Sequence, residues 1–184
     1  MKWFTADTHF GYRLVPQLRG FKSIAAHDTF ILDSLNHYVE RNDELFILGD
    51  YARDKLASYR MKIKCKTIRF VMGNHDKQEA CLKVFGQVFR QWQTKVMGVK
   101  TYLSHYPHAY WDKSYLGSFH LYGHTHANVE DILDGFFPQR RAMDVGMDNA
   151  FKLVGEYRPF SEEEIYDRLI VREGHEKVKN VRID

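Results

Sequence analysis

The sequence has few of the features that mark secreted, membrane or disulfide-rich proteins. No stretch approaches the roughly 20 apolar residues of a membrane span. Asp7 and His9 interrupt the N-terminal apolar stretch before it reaches the roughly 7–15 residues of a secretion signal. The two cysteines, Cys65 and Cys81, fall in no spacing typical of a metal or redox site. We therefore expect a cytoplasmic protein with no membrane partner, and two thiols rather than a disulfide.

The sequence also lacks a strong net charge and any low-complexity segment. Its 184 residues carry a formal charge of +3, which implies no strong field for nucleic acid or acidic lipid but leaves room for a local basic patch. Hydrophobic residues make up 44% of the chain, and no Pro/Gly/Ser-rich stretch divides it. This composition is typical of a globular protein, and we expect one domain over residues 1–184.

What the sequence does contain is a set of short polar blocks, each at the end of a short apolar run. In chain order they are Asp7-Thr8-His9, Gly49-Asp50, Gly73-Asn74-His75-Asp76, Ser104-His105 and Gly123-His124-Thr125-His126. The runs that precede them, such as Leu45-Phe46-Ile47-Leu48, are rich in β-branched and aromatic residues and indicate buried strands. Side chains just past the carboxyl ends of strands can converge in one crevice of an α/β sheet. The sequence therefore predicts that the blocks share one site.

Hydrophobic periodicity predicts a mixed α/β chain. The predicted strands lie at about 2–6, 45–48, 67–72, 88–97, 99–104, 119–122 and 142–146, and the predicted helices at about 23–40, 54–62, 77–85 and 161–170. Ser23 is placed to cap the first helix, and Ser161 with Glu164 forms a capping-box pattern at the last. Strands that alternate with helices favour parallel pairing in the first half, whereas consecutive strands favour an antiparallel part in the second.

The residue types in the blocks suit hard or borderline metal ions. The candidate ligands are the carboxylates of Asp7 and Asp50, the amide oxygen of Asn74, and the imidazoles of His9, His105, His124 and His126. Because no block contains a thiolate, the set favours Mn²⁺, Fe²⁺, Zn²⁺ or Ni²⁺ over a soft metal. Two ions about 3.5–4 Å apart form the clamp that phosphoryl-transfer sites use. Such a pair needs a shared carboxylate, and Asp50 is the natural candidate.

As a set, these blocks resemble those of the calcineurin-like metallophosphoesterases, over about residues 4–128. The resemblance implies an α/β fold of two packed mixed β-sheets flanked by helices, a four-layer sandwich. It also implies that Asp7, His9, Asp50 and His126 hold one metal ion, and that Asp50, Asn74, His105 and His124 hold the other. His75 would act beside the leaving group, with Asp76 orienting it. Where many members have Gly-Asp-x-x-Asp, this chain has Arg53 in place of the second acid. We expect Arg53 to reach the substrate phosphate, and we also count Asn74 among the substrate-binding residues.

These observations predict a dinuclear phosphoesterase, with Mn²⁺ as the first choice of metal. A hydroxide held between the ions would attack phosphorus directly, and a phosphodiester is the favoured substrate class. A nucleotide, a cyclic nucleotide or a nucleic-acid end would all fit this description. The alternatives are a phosphomonoesterase or a nuclease on the same centre, or a scaffold that has lost catalysis. The scaffold is disfavoured because the chain keeps every ligand and His75. The oligomeric state is not indicated.

Four further features each have two interpretations. His108 lies near the fourth block but is not required by the pattern, so it is either a residue of the site or a structural histidine. Tyr106, Tyr110, Trp111 and Tyr115 either stack on a nucleobase or line a pocket or core. Arg140 and Arg141 either meet an anionic substrate or form a solvated turn, which we favour. Residues 172–182 alternate charged and apolar positions, which indicates an edge strand or a solvated tail.

Overall fold

The structure of the protein, a computed structural model, describes residues 1–174. Its strands are β1 (Lys2–Thr5), β2 (Glu44–Leu48), β3 (Thr67–Val71), β4 (Gln91–Val96), β5 (Val99–Ser104), β6 (Phe119–Tyr122), β7 (Ala142–Asp144) and β8 (Phe160–Ser161). Its helices are α1 (Leu14–Leu18), α2 (Ile24–Tyr38), α3 (Leu56–Lys62), α4 (Gln78–Phe85), α5 (Glu130–Phe136), α6 (Met147–Val154) and α7 (Glu162–Ile170), and a 3₁₀ turn covers Ser114–Leu116.

The strands form two mixed sheets of four strands each. The first has the order β3-β2-β1-β8, in which β1, β2 and β3 run parallel and β8 is antiparallel to β1. The second has the order β4-β5-β6-β7, in which β4 and β5 form an antiparallel hairpin and β5, β6 and β7 run parallel. The predicted α/β class with two mixed sheets is confirmed.

Alternating side chains on the strands build the core between and outside the sheets. On β2, Phe46 and Leu48 point into the space between the sheets, where they pack with Leu103 and Leu121 of the second sheet. Leu45 and Ile47 of β2 point the other way, under α2, where Ile31 and Leu35 cover them. A strand that is buried on both faces needs a continuous apolar run, which is the pattern seen before the second polar block.

The two predicted helix caps are confirmed. The Ser23 side chain accepts a hydrogen bond from the Ala26 backbone N–H at the start of α2. Ser161 and Glu164 form the predicted capping box at the start of α7, with each side chain accepting from the other residue's backbone N–H. Ile165 and Leu169 of α7 close the core between the two sheets.

Four short elements and the 3₁₀ turn were not predicted. Helices α1, α5 and α6 have five to eight residues, and strand β8 has two. Such lengths give too few turns for an apolar stripe to stand out. The sequence does contain one indication of α6, the glycine at position 155. Gly155 follows the last turn of α6 in a left-handed conformation, as glycines that end helices do.

The preferred interpretation of Arg140 and Arg141 as a solvated turn is wrong. Arg140 is 2% exposed and binds Glu130, Asp134 and the Tyr122 hydroxyl. Arg141 donates to the backbone carbonyls of residues 170 and 172. Both guanidinium groups therefore have structural partners, and neither interpretation from the sequence applies.

Other predicted features have mixed outcomes. Trp111 is buried and donates to Ser118, so it is part of the core rather than a stacking platform. Of the predicted tail, Arg172 forms an ion pair with Asp134 and belongs to no strand. Residues 175–184 lie outside the described residues.

Cys65 and Cys81 are buried free thiols. No helix among residues 1–174 is both long and apolar enough to cross a membrane.

Candidate metal centre

All five polar blocks lie at one end of the sandwich, where the carboxyl ends of the parallel strands of both sheets meet. A parallel bridge joins Ala6 to Gly146 there, and the Met147 N–H donates to the Ala6 carbonyl at 3.2 Å. Glycine permits the close approach of the loops: a Cβ on Gly49, which has a φ of 92°, would lie 2.5 Å from Nδ1 of His105. The first sheet supplies Asp7, His9, Asp50 and Asn74, and the second supplies His105, His124 and His126.

Five of the candidate ligand residues have a left-handed backbone. Their φ angles are 57° at Asp7, 47° at His9, 54° at Asp50, 70° at His124 and 48° at His126. Non-glycine residues adopt this conformation rarely, and such strain concentrates at functional sites. Backbone hydrogen bonds hold the turns, including Asp7 N–H to the Gly49 carbonyl and His9 N–H to the Asp50 carbonyl, both 3.0 Å. The loops thus hold strained backbone conformations that direct these side chains towards one site.

The first cluster consists of Asp7, His9 and His126, whose ligand atoms all lie within 4.8 Å of one another. Nε2 of His9 is 3.3 Å from Nε2 of His126 and 4.0 Å from Oδ1 of Asp7. Asp7 is fully buried, yet its Oδ1 has no hydrogen-bond partner within the described chain. A buried carboxylate oxygen without a partner is costly, and a cation in this cluster would satisfy it.

The second cluster consists of Asp50, His105 and His124, again with ligand atoms within 4.8 Å of one another. Nε2 of His105 is 3.4 Å from Oδ2 of Asp50 and 3.0 Å from Oδ1 of Asn74. Asn74 therefore lies beside the second cluster.

Asp50 lies between the two clusters. Its Oδ2 is 3.8 Å from Nε2 of His9 and 3.4 Å from Nε2 of His105, while its Oδ1 accepts the backbone N–H of His75 at 3.0 Å. Ligand atoms about 2.0–2.2 Å from a common ion lie about 3–4 Å from one another. The separations in both clusters fit this range, so the residues fit two divalent ions with Asp50 facing both.

Burial sets the protonation of His9 and Asp7 in the absence of ions. It lowers the pKa of His9 to about 3, which keeps the imidazole neutral and able to bind a cation. Burial, helped by the charge of Asp144, raises the pKa of Asp7 to about 7. The ion-free protein therefore holds Asp7 protonated into the neutral range, and an ion has to displace that proton.

In the second cluster, interactions between His105 and Asp50 outweigh burial. Burial alone would raise the pKa of Asp50, but the hydrogen bond and charge of His105 lower it to about 2. Burial alone would lower the pKa of His105, but the hydrogen bond to Asp50 and the charge of Asp7 raise it to about 9. In the ion-free protein His105 is therefore protonated, and its positive charge replaces that of a metal ion beside Asp50.

The sequence did not indicate which groups would support the histidines. Nδ1 of His126 lies 2.5 Å from Oδ2 of Asp148, and Arg19 binds both carboxylate oxygens of Asp148. Nδ1 of His105 donates to the Leu48 carbonyl at 2.7 Å. Each of these bonds fixes the ring so that Nε2 faces the cluster, which is the usual arrangement behind a metal-binding histidine.

The predicted role of Asp76 differs from what the geometry shows. Its carboxylate accepts the backbone N–H groups of Asp50, Tyr51 and Gly73, at 2.8, 3.1 and 2.8 Å. Within residues 1–174, no hydrogen bond joins Asp76 to His75. Asp76 therefore ties the loops of the second and third blocks together rather than orienting the His75 imidazole.

His75 and Arg53 remain accessible, and His75 lies beside the first cluster. The exposed His75 ring lies 5.8 Å from the His9 ring and 5.6 Å from the Tyr12 ring, edge to face in both cases. The Arg53 side chain is half exposed and lies 3.6 Å from a carboxylate oxygen of Asp54. His108 instead packs on Tyr102 and His120, away from the clusters.

Two tyrosines flank the centre on opposite sides. Tyr12 packs edge to face on His9 at 4.7 Å between ring centroids, and Tyr106 packs on His124 at 4.5 Å. The sequence singled out Tyr106 but not Tyr12. Beside His126, a cavity of about 370 Å³ opens between Val15, Leu18 and Asn128.

The fold and the paired Asp/His clusters together define an α/β protein whose site fits two divalent ions, and comparison with known proteins identifies its class. The model of the calcineurin-like phosphoesterase family matches residues 3–176, so the chain belongs to this family. The resemblance predicted from the blocks is thereby confirmed. Membership and the two clusters together support a metal-dependent phosphoesterase with a dinuclear divalent metal site.

The chain is also similar to two known proteins, one found by sequence and one by structure. The chain is similar to the Gene 66 protein of Mycobacterium phage L5, with 25% identity over 209 aligned residues that cover 95% of this chain and 96% of that protein. It is also similar in structure to AQ665 from Aquifex aeolicus, a protein of unknown function, with a TM-score of 0.71 and 23% identity over 91% of this chain and 98% of that one. The latter similarity supports the fold alone.

Proposed function

We propose that the protein hydrolyses a phosphodiester with the help of two divalent transition-metal ions, Mn²⁺ being the expected metal. The observation that carries the proposal is the position of Asp50, whose Oδ2 faces His9 of one cluster and His105 of the other. A carboxylate in this position can neutralise two cations that would otherwise repel each other at short range.

Each group of residues has a distinct part in the proposed reaction. When bound, the two ions supply an activated water and neutralise charge on the phosphoryl oxygens. Asp7, His9 and His126 hold one ion and His105, His124 and Asn74 the other, with Asp50 shared. Because Asn74 is a neutral ligand, it leaves the second site more electrophilic than a carboxylate would.

His75 is the proposed general acid. Its backbone N–H is fixed on Asp50 and its ring packs near His9 and Tyr12, so the imidazole lies beside the clusters without belonging to either. From this place it can donate a proton or a hydrogen bond to the departing alkoxide. The half-exposed Arg53 is proposed to bind the substrate phosphate in two-point fashion.

The diester preference rests on the open side of the centre. Asn74, His75 and His124 are all exposed to solvent, so a phosphate with organic groups on both sides can reach the clusters. The exposed Tyr106 beside His124 offers an aromatic surface on which a nucleobase can stack. This surface favours a nucleotide, a cyclic nucleotide or a nucleic-acid end as the organic part. A nuclease on the same centre is the second candidate.

The test is metal content combined with a substrate panel. After reconstitution with Mn²⁺, elemental analysis should find about two ions per chain, and chelation should abolish turnover. Bis-nitrophenyl phosphate should be hydrolysed faster than nitrophenyl phosphate, and cyclic nucleotides and oligonucleotides separate the nucleotide and nuclease candidates. Binding of no ion, or of a single ion that no turnover depends on, would contradict the proposal. Faster hydrolysis of the monoester would replace the diester preference with the monoesterase alternative.

A further inference from the structure

Arg19 is a buried guanidinium that contacts both sides of the first metal cluster. Its side chain is 2% exposed. Nη2 donates to the backbone carbonyl of Asp7 at 2.7 Å, and Nε and Nη2 donate to the two carboxylate oxygens of Asp148 at 2.9 and 2.7 Å. Asp148 in turn accepts Nδ1–H of His126 at 2.5 Å. One side chain thus links the loop after β1 to a histidine from the second sheet.

The third nitrogen of the Arg19 guanidinium group, Nη1, also has a partner. Nη1 of Arg19 lies 3.0 Å from Nε2 of His27, and Nδ1 of His27 lies 2.9 Å from Asp28. Asp28 also accepts the Tyr59 hydroxyl at 2.7 Å and the Gly11 N–H at 3.1 Å. His27 and Asp28 belong to α2 and Tyr59 to α3. The guanidinium is therefore held in one orientation by helices outside the metal-binding loops.

In the second cluster, the group behind His105 is uncharged. His105 donates its Nδ1–H to the uncharged backbone carbonyl of Leu48. A carboxylate behind an imidazole raises the basicity of the ring and fixes its orientation more strongly than a carbonyl does. The two clusters therefore differ in what lies behind their histidines.

We propose that Arg19 and Asp148 are a positioning pair for the first metal site, which sets the spacing between Asp7 and His126 and so the affinity of that site. The proposal rests on the dinuclear centre proposed above. Arg19 touches no ligand atom of the cluster; it acts through the Asp7 backbone and through Asp148. Its effect should therefore fall on the first site and spare the second.

The test compares Arg19→Gln with Arg158→Gln. Arg158 is a matched control, because it is also nearly buried and pairs with a carboxylate, that of Glu164, but contacts none of the metal-ligand residues. Titration calorimetry of chelator-treated protein measures the affinities of the two successive Mn²⁺-binding steps. Electron paramagnetic resonance of the loaded protein shows whether two coupled ions or one isolated ion is present.

In Arg19→Gln, one of the two affinities should fall about 10–100-fold and the coupled signal should give way to that of an isolated ion. Asp148→Asn should behave in the same way, and the double variant should lose less than the two single losses combined, because both act through one contact. Arg19→Lys keeps the charge but not the planar fork and should rescue part of the loss. If Arg19→Gln does not fold, Arg19→Lys and Asp148→Asn carry the test.

Three results would decide against the positioning role. One is unchanged affinity for both ions in Arg19→Gln and Asp148→Asn. Another is an equal loss at both sites, and the third is a loss that Arg158→Gln reproduces. In all of these the dinuclear proposal stands, since the parent protein still binds two ions. If the parent itself binds fewer than two, the dinuclear centre is wrong, and the positioning pair falls with it.

Discussion

Replacing Asp7 by Asn should stabilise the ion-free protein at alkaline pH, although it removes a candidate metal ligand. Asp7 is fully buried, close to Asp144, and its Oδ1 lacks a partner within the described chain. In the unfolded chain its carboxyl group loses its proton near pH 3.8, whereas in the folded protein burial and Asp144 raise the pKa to about 7. The folded state therefore binds more protons between these values, and the stability of the ion-free protein falls as pH rises through this window.

The magnitude follows from the pKa. At about 1.4 kcal/mol for each pH unit, ionising Asp7 costs the ion-free fold about 4 kcal/mol above pH 7. An asparagine avoids this cost but leaves an amide hydrogen without a partner beside His9, at about 1–3 kcal/mol. We expect a net gain of about 1–3 kcal/mol at pH 8. For a chain of this length that corresponds to a rise of roughly 2–10 °C in melting temperature.

The assay is thermal unfolding in the presence of a chelator at pH 5 and pH 8. Asp7→Asn should melt above the parent at pH 8, and its advantage should shrink or vanish at pH 5. Asp167→Asn is the control, since it removes an exposed carboxylate. A variant that melts below the parent at pH 8, or with the same difference at both pH values, would refute the argument. With Mn²⁺ at about 100 times its Kd, the parent should gain about 2.7 kcal/mol per tight site and overtake the variant.

Three further predictions concern the metal ions and the chemistry. Asp50→Asn should release more Mn²⁺ than Asp7→Asn, because Asp50 faces both clusters; similar metal-to-protein ratios by elemental analysis would argue against a shared carboxylate. His75→Ala should keep both ions yet lose about 10²–10⁴ in rate on an alkyl or ribose ester and little on a nitrophenyl ester, with the exposed His37→Ala as control. An equal loss on both esters would assign His75 to phosphate positioning. Hydrolysis in isotopically labelled water should proceed without a phosphoenzyme, and trapping of a phosphorylated side chain during turnover would disprove direct displacement.

The sequence was sufficient to predict most of the strands and the meeting of the polar blocks, whereas the arrangement of two mixed sheets was implied by the resemblance to the family. A strand is recognisable from a few apolar residues such as those of β2, and its carboxyl end is the next residue along the chain. Once parallel pairing is inferred, the ends of several strands must lie at one edge. The structure brings Asp7, His9 and His126 together, and likewise Asp50, His105 and His124. Their role as ligands remains a prediction.

The supporting groups were not predictable, because they depend on contacts between distant parts of the chain. Arg19 and Asp148 are 129 residues apart, and nothing in either local sequence indicates the other. The resemblance to the family implied that Asp76 orients His75, whereas backbone N–H groups from another loop bind its carboxylate. The burial of Arg140 depends likewise on Glu130 and Asp134, a packing arrangement that a charged dipeptide does not reveal.

Each cluster takes residues from both sheets. The apolar interior that separates the sheets therefore affects the distances between the candidate metal ligands. Contacts such as the Ala6–Gly146 bridge and the His105 to Leu48 hydrogen bond join the sheets at the end that carries the clusters, and the rest of the gap is filled by apolar side chains such as Phe4, Phe46 and Leu121. Metal coordination accepts errors of about 0.2 Å in ligand distance, which is less than the shift that a lost or added methylene can cause in a closely packed core. The thickness of this hydrophobic layer thus acts together with Arg19 and Asp148 on the distance between His126 and Asp7, and it also affects the distance between His105 and Asp50. Side chains without a polar atom would therefore help to determine which ions the two clusters can hold.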